Sequence, residues 1–250
     1  MNSAVGGNPV IAMWAHPRSL STAFLRMMIA RGDLTVVHEP LVTLVDEGEV
    51  PLPSPDGGTF LARTVGEVLA QLRRLAVQRP VFFKDTLEYR YQYLFDHPDE
   101  IAGITHTFIV RDPGKAISSH YAMKPTVTCP EIGYEHQYDL LQLARAHSTH
   151  TPVVIEAERL LAEPSTVIDG YCAAVGLPFL PHALSWQPED RTEWQRTRKW
   201  HLAAIDSSGF AAPANDYPST IDNNPVLRSF YDYHFPFYQR ILDHARTPQE

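Results

Sequence analysis

Short apolar segments alternate with helix-like segments along most of this chain. The predicted strands cover residues 10–15, 35–41, 80–85, 105–112 and 152–160. The predicted helices cover residues 21–32, 63–78, 113–122, 131–148, 164–176 and 225–245. Strands separated by helices usually form a parallel sheet with helices on its faces. We therefore predict an α/β fold, a single domain with a mostly parallel central sheet flanked by helices.

Two segments interrupt this alternation. Residues 45–60 are rich in proline and glycine, which predicts a turn-rich loop. Pro236 predicts a kink or break within the closing helix, because proline cannot donate the helical hydrogen bond. Residues 1–9 are expected to form a flexible lead-in and residues 10–246 the folded domain.

Charge and cysteine content narrow the classes of function. The formal net charge is −8, which argues against nucleic-acid binding through a general basic field but permits a small anionic ligand. No apolar run reaches membrane-spanning length, and the first residues lack the features of a signal peptide. Neither Cys129 nor Cys172 has a metal-like spacing. We expect a cytoplasmic protein without a metal centre, and the oligomeric state stays open.

The stretch "AHPRSLSTAFLR" (15–26) joins the first predicted strand to a helix beginning near Ser21. The first amides of a helix lack internal partners and attract anions, and Arg18 adds a guanidinium. The glycine-rich loop ending in Gly-Lys-Ser/Thr is absent. The alternative is a simple capped helix. The expected anion-binding residues are His16, Pro17, Arg18, Ser19, Leu20, Ser21 and Thr22.

A second stretch, "RDPGKAISSHY" (111–121), places Arg111 at a strand end and Ser119 about two turns into the next helix. Such a pair can bind a second phosphate; the alternative is a surface arginine paired with Asp112. Lys84 stands beside Asp85 at another strand end. This cation suggests that the protein, rather than a metal, neutralises the ligand's charge.

Taken in order, "PRSLST", "RDPGKAISSHY" and "VVIEAERLLAEPSTVIDGYCAAVGLPF" (153–179) resemble the sulfotransferases that use 3′-phosphoadenosine 5′-phosphosulfate (PAPS). The resemblance implies a P-loop NTPase-like sulfotransferase fold. It also implies that the first loop binds the 5′-phosphosulfate and that Arg111 and Ser119 bind the 3′-phosphate. The "HEP" at residues 38–40 is similar to the "xEP" that stands at the same place in atypical, bacterial-type branches of the family.

The resemblance further implies a late basic segment that closes over the nucleotide, within residues 191–210. Arg198 or Lys199 would reach the 3′-phosphate there, and a tryptophan would stack on adenine. The alternative places Trp194 and Trp200 in the core. Two departures are visible: the first loop carries Arg18 where many members have lysine, and "FKDTLEY" (83–89) lacks the histidine that follows the lysine in other branches.

Sulfuryl transfer by analogy with phosphoryl transfer needs charge stabilisation, acceptor alignment and a base. Arg18 and Lys84 are the expected stabilising cations. Glu39 is the expected base, with a structural salt bridge as the alternative. His38 should point to the opposite face by strand alternation. His16, Asp85 and Glu88 are the other candidate bases.

The expected acceptor is a small molecule with a hydroxyl or amine, and elimination or cyclisation of the sulfated product stays open. Four aromatic side chains either line the acceptor pocket or belong to the core: Tyr89, Tyr91, Tyr93 and Tyr121. The rival hypotheses are a nucleotide-dependent small-molecule kinase and a non-catalytic nucleotide-binding protein.

Overall fold

A five-stranded parallel sheet forms the centre of the computed structural model, which describes residues 7–191, 194, 197–212 and 216–246. The remaining residues, including residues 1–6 of the expected lead-in and four of residues 191–210, lie outside the described ranges. The strands are β1 (Val10–Ala15), β2 (Thr35–His38), β3 (Val50–Pro53), β4 (Thr59–Ala62), β5 (Val81–Thr86), β6 (Thr105–Val110) and β7 (Val153–Glu156).

Helices connect these strands and cover both faces of the sheet. They are α1 (Ser21–Arg31), α2 (Pro40–Glu47), α3 (Val65–Ala76), α4 (Gln92–Asp96), α5 (Pro113–Met123), α6 (Tyr134–His147), α7 (Ala157–Ala162), α8 (Pro164–Ala174), α9 (Arg198–Ile205) and α10 (Pro225–Arg246). Short 3₁₀ turns cover Pro98–Glu100, Pro130–Ile132 and Pro181–Leu184. Within the described residues, no helix combines the length and apolar character needed to cross a membrane.

The strand order is β2-β5-β1-β6-β7. From β1 the chain passes to the edge strand β2, returns to β5 beside β1, and then continues on the other side of β1 through β6 to β7. All six residues of β1 are buried because helices cover both faces of the sheet. Trp14 packs in one apolar core and Met13 in the other, as strand alternation requires. The order reverses around β1, and the carboxyl ends of strands at such a reversal form a crevice where ligands bind.

The predicted class of fold is confirmed, and three local predictions are wrong. The second strand ends at His38, because Glu39 takes a left-handed conformation and Pro40 then begins α2. The predicted loop 45–60 contains the end of α2 and the antiparallel β3–β4 pair. The predicted strand 152–160 ends at Glu156, because "AERLLA" consists of good helix formers and forms α7.

The closing helix has no break at Pro236, one of the two predicted effects of this proline. It continues through Pro236 as one helix of 22 residues. Packing of α10 on α5, α6 and β7, with Leu227, Ile241 and Leu242 buried, stabilises it on both sides of the proline. Tertiary packing therefore outweighs the lost hydrogen bond.

Candidate functional site

A cavity of about 650 Å³ opens at the carboxyl ends of β1, β2 and β5, beside the start of α1. The loop after β1, strand-end residues of β2, β5 and β6, and residues of the segment 197–212 line it. It brings together most of the predicted site residues: Pro17, Arg18, Ser19, Leu20, Ser21, Thr22, Glu39, Lys84, Arg111 and Lys199.

The loop between β1 and α1 has an unusual backbone. Arg18 and Leu20 both take left-handed conformations, with φ angles of 67° and 71°. Leu20 is the N-cap of α1, and no side chain caps this helix end. Ser19 is fully buried, and its hydroxyl has no hydrogen-bond partner among the described residues. Strain, uncapped amides and a buried hydroxyl without a partner together fit a bound anion.

The two predicted anion sites form one continuous network. Arg18 Nε donates to Ser119 Oγ at 3.0 Å, and Arg18 Nη1 donates to the Trp200 carbonyl at 2.9 Å. Arg111 Nη1 donates to the Arg18 carbonyl at 3.0 Å. Burial lowers the pKa of Arg18 from its ordinary value. Arg111 is 2% exposed, so it is a buried residue rather than a surface arginine.

His16 lies behind this network and does not line the cavity. Its Nε2 accepts the Arg111 backbone N–H at 3.0 Å, its Nδ1 lies 2.9 Å from the Pro17 carbonyl, and its ring stacks on Tyr134. Burial lowers the pKa of His16 to about 3. His16 therefore holds the loop against β6 as a neutral side chain and is not placed to act as the base.

Glu39 and Lys84 form a buried ion pair at the edge of the cavity. Lys84 Nζ donates to Glu39 Oε1, and the Glu39 backbone N–H donates to the Lys84 carbonyl at 2.7 Å. The Glu39 and Lys84 side chains are 11% and 2% exposed. Burial alone would raise the pKa of Glu39, but the positive charge of Lys84 holds it at about 2. The charge of Lys84 therefore outweighs the effect of burial while this pair is intact.

His38 lies on the same side as Glu39, contrary to the expectation from strand alternation. Glu39 has a φ of 45°, so its side chain does not continue the alternation and lies beside His38, with 3.6 Å between His38 Nε2 and Glu39 Oε2. The rings of His38 and His201 are 5.0 Å apart. Burial lowers the pKa of His38 to about 3 and that of His201 to about 4.

These three residues form a cluster that the sequence did not reveal. One donor atom each from His38, Glu39 and His201 lies within 4.8 Å of the others. His201 is far from the pair in sequence and has no recognisable metal-ligand spacing. The expectation of a protein without a metal centre was made without knowledge of this group and stays a prediction.

Asp85 has a structural position. It is fully buried, and its carboxylate accepts the N–H groups of Leu41 at 2.6 Å and Val42 at 3.1 Å. Tyr91 also donates to it at 3.1 Å. Burial raises the pKa of Asp85 to about 7, against the lowering effect of the amide donors. Asp85 therefore caps α2 and does not face the cavity.

Glu88 lines the cavity beside Asp46 and Tyr89. Burial, followed by the charges of Glu39 and Asp46, raises the pKa of Glu88 to about 7. The Tyr89 hydroxyl donates to Asp46 at 2.9 Å. Sequence reasoning missed Asp46 because it had assigned this residue to a loop.

The other predicted aromatic residues lie away from the cavity. Tyr91 is buried and donates to the Thr86 carbonyl at 2.7 Å, and Tyr93 donates to Glu100 at 2.7 Å. Tyr121 is partly buried against the core. Of the four tyrosines, only Tyr89 lines the cavity.

The late segment contributes through α9. Lys199, Trp200 and His201 line the cavity. Arg198 points elsewhere, because successive helix residues face different directions, and its Nε donates to Asp190 at 2.7 Å. Trp194 is fully buried against Arg26, as the core alternative had it. The structure does not bring Arg198 to the predicted nucleotide site.

The charged residues of the cavity form two groups. Arg18 and Arg111 are linked beside the start of α1, whereas Lys84 pairs with Glu39, and Asp46 and Glu88 lie near Tyr89 on the side of α2. The cationic end suits an anionic donor with phosphate or sulfate groups. The side of α2 offers carboxylates and the Tyr89 ring to a second, smaller molecule.

A family model described as a sulfotransferase domain matches residues 10–245. Two curated proteins of Arabidopsis thaliana are similar: branched-chain-amino-acid aminotransferase-like protein 1, 28% identical over 259 residues, and protein 2, 25% identical over 256 residues. Each alignment covers 95% of this chain and 42% of the relative. The chain therefore spans less than half the length of these curated relatives.

Two solved structures have a similar fold. The sulfotransferase domain from the Synechococcus PCC 7002 olefin synthase superimposes with a TM-score of 0.55 at 16% identity, covering 93% of this chain and 97% of that domain. The sulfotransferase domain from the curacin biosynthetic pathway gives a TM-score of 0.57 at 12% identity, covering 91% and 98%. At these identities the likeness concerns the fold.

Proposed function

Since this chain belongs to the sulfotransferase family, we propose that it transfers a sulfuryl group from PAPS to a hydroxyl or amine of a small-molecule acceptor. The observation that carries the proposal is the strained, uncapped loop before α1, with the buried Ser19 hydroxyl and the linked side chains of Arg18, Arg111 and Ser119. The folded unit would be residues 10–246, in a cytoplasmic setting.

The residues present fit the two anionic ends of PAPS. The first amides of α1 and the hydroxyls of Ser19 and Thr22 would hold the 5′-phosphosulfate. Arg111 and Ser119, together with Lys199 at the cavity wall, would hold the 3′-phosphate. Arg18 belongs to the first loop and is hydrogen-bonded to Ser119 and Arg111, so it would position one end of the donor relative to the other.

PAPS would supply the sulfuryl group, and the protein's part is charge stabilisation and proton removal. Arg18 and Lys84 would stabilise the negative charge that develops as the sulfur–oxygen bond to the nucleotide breaks. The location of Lys84 at the edge of the cavity, where it donates to Glu39, supports this role.

Glu39 is the proposed general base. It lines the cavity and is ionised, as a base must be before it accepts a proton. A carboxylate with a pKa near 2 is a weak base. A donor anion that draws Lys84 away from Glu39 would raise this pKa and strengthen the base, since the lysine charge is what lowers it. Glu88 is the alternative, because it lines the same cavity.

Calorimetry tests the donor site directly. We expect 3′,5′-adenosine bisphosphate to bind without a divalent metal, and to bind more tightly than 5′-AMP or ATP with Mg²⁺. Equal binding of 5′-AMP and the bisphosphate would refute the 3′-phosphate site. Tighter binding of ATP with Mg²⁺ would instead favour a kinase.

A further inference from the structure

In the cluster of His38, Glu39 and His201, the Nε2 atom of His38 has no role in the proposed transfer reaction. The His38 side chain is 10% exposed, and its Nε2 is shielded from solvent and makes no hydrogen bond among the described residues. A buried polar nitrogen without a partner costs free energy. Two imidazoles and a carboxylate are the ligands that zinc and its neighbours in the transition series prefer.

We propose that His38, Glu39 and His201 bind a borderline divalent transition metal such as Zn²⁺, and that this metal competes with the sulfuryl acceptor for Glu39. The competition rests on the proposed function of Glu39; the metal site itself does not.

The geometry requires only a small adjustment. Tetrahedral zinc with bonds of about 2.0–2.2 Å separates neighbouring donor atoms by about 3.3–3.6 Å. His38 Nε2 and Glu39 Oε2 are already 3.6 Å apart, and the widest separation within the cluster is no more than 4.8 Å. The left-handed backbone of Glu39 is what brings two consecutive residues to the same position. Three protein ligands would leave one coordination position directed to a water molecule or substrate.

Either ring nitrogen of His201 can serve as the metal ligand. Its Nδ1 lies 3.4 Å from the Thr22 hydroxyl and its Nε2 lies 3.0 Å from the Thr197 hydroxyl. Metal binding would replace one of these contacts. The other would orient the ring, as the hydrogen-bond partner of a metal-bound histidine does.

Lys84 opposes the metal and thereby provides a specific test. Its ammonium donates to Glu39 Oε1. A metal ion bound to Glu39 Oε2 would therefore be repelled by a second positive charge on the same carboxylate. Removing the ammonium frees the carboxylate, and metal affinity should then rise. A metal ion held elsewhere on the surface would not respond to this change.

The test is calorimetric titration of the full chain with Zn²⁺, with Mg²⁺ as the hard-cation comparison. We expect Zn²⁺ to bind and Mg²⁺ to have no effect on Zn²⁺ binding, since Mg²⁺ prefers oxygen ligands. His38→Gln and His201→Gln should each weaken Zn²⁺ binding by at least about tenfold, as expected for loss of a first ligand. Lys84→Met should strengthen it severalfold.

His120→Gln is the matched control, because His120 lines the same cavity but is not part of the cluster. Its Zn²⁺ affinity should equal that of the wild type. Unchanged affinity in His38→Gln and His201→Gln, or unchanged or weaker affinity in Lys84→Met, would overturn the proposal. If His38→Gln does not fold, His201→Gln and Lys84→Met decide alone.

The activity measurement is separate. With a working acceptor, Zn²⁺ should inhibit transfer, and a higher acceptor concentration should relieve the inhibition. Zn²⁺ binding with the expected pattern of variants but without inhibition would overturn the competition and the role of Glu39 as base. Transfer without Zn²⁺ binding would overturn the metal site and leave the proposed function intact.

Discussion

Replacing Glu39 with glutamine should separate its two proposed roles, as partner of Lys84 and as general base. The substitution keeps the shape and an oxygen acceptor for Lys84, but it leaves a buried ammonium without a counter-charge. Breaking a buried ion pair from one side typically costs about 3–5 kcal/mol. The retained acceptor places Glu39→Gln at the lower end, about 3 kcal/mol, which for a chain of this size lowers Tm by about 6–12 °C.

The second substitution, Lys84→Met, removes the isolated ammonium. Lys84 is only 2% exposed in its side chain, so an apolar residue of similar length fits its surroundings. The double variant Glu39→Gln/Lys84→Met leaves no unpaired buried charge at this site, because glutamine is neutral and the ammonium is gone. We therefore expect it to be more stable than Glu39→Gln alone in free energy of unfolding. The stabilities of the two single variants would then not add.

Turnover of Glu39→Gln, measured well below its Tm and expressed per folded molecule, should fall by about 10²–10⁴, the usual contribution of a positioned base. Affinity for 3′,5′-adenosine bisphosphate should hold or rise, because Lys84 is no longer neutralised by a carboxylate. Turnover within about threefold of the wild type would show that Glu39 is a structural partner only. An unchanged Tm would show that the buried pair does not stabilise the fold.

Arg111→Ala should weaken binding of 3′,5′-adenosine bisphosphate by more than about tenfold and remove its advantage over 5′-AMP in calorimetry; a retained advantage would contradict the 3′-phosphate assignment. Ser19→Ala should leave Tm unchanged or raise it, because a buried hydroxyl without a partner is removed, while nucleotide affinity falls by about fivefold; a lowered Tm with unchanged affinity would reverse this reasoning. Burial raises the pKa of Glu88 from 4.5 to about 7, so the folded protein holds a proton that the unfolded chain has released, and stability falls as pH rises through this window. Glu88→Gln should therefore melt above the wild type at pH 8 and at the same temperature at pH 4; equal melting temperatures at pH 8 would show that the carboxylate is not destabilised.

Short-range sequence patterns predicted the strands and helices whose apolar residues recur with a clear period. The capping of α3 by Thr64 and Glu67 and the end of α1 at Gly32 agree with simple sequence rules. The errors fall where tertiary contacts decide. Asp85 caps α2 from another strand, and this helix begins at Pro40, inside the predicted strand 35–41.

The predictions for the site also succeed where the signal is local in sequence and fail where tertiary contacts decide. The loop after β1 was predicted because strand, anion-binding side chains and helix are consecutive in sequence. The pairing of Glu39 with Lys84 and the approach of His201 to His38 join segments that are distant in sequence. The left-handed conformation of Glu39 has no sequence signal, since glutamate rarely adopts it. A single residue outside its usual backbone region therefore invalidated the prediction for its neighbour His38.

Among the described residues, the non-glycine residues with positive φ are Arg18, Leu20 and Glu39, and all three line the cavity. Each such conformation costs roughly 1 kcal/mol, so together they lower the free energy of unfolding by about 3 kcal/mol. The total for a folded protein is typically about 5–15 kcal/mol. Laboratory evolution for heat resistance alone would therefore favour glycine or asparagine at positions 18 and 20. At position 18 the more stable variants would lose the guanidinium proposed for transfer. At position 39 the gain of about 1 kcal/mol would be outweighed by the buried ammonium of Lys84 left without a partner. A substitution at position 20 would increase thermal stability without the loss of a charged group.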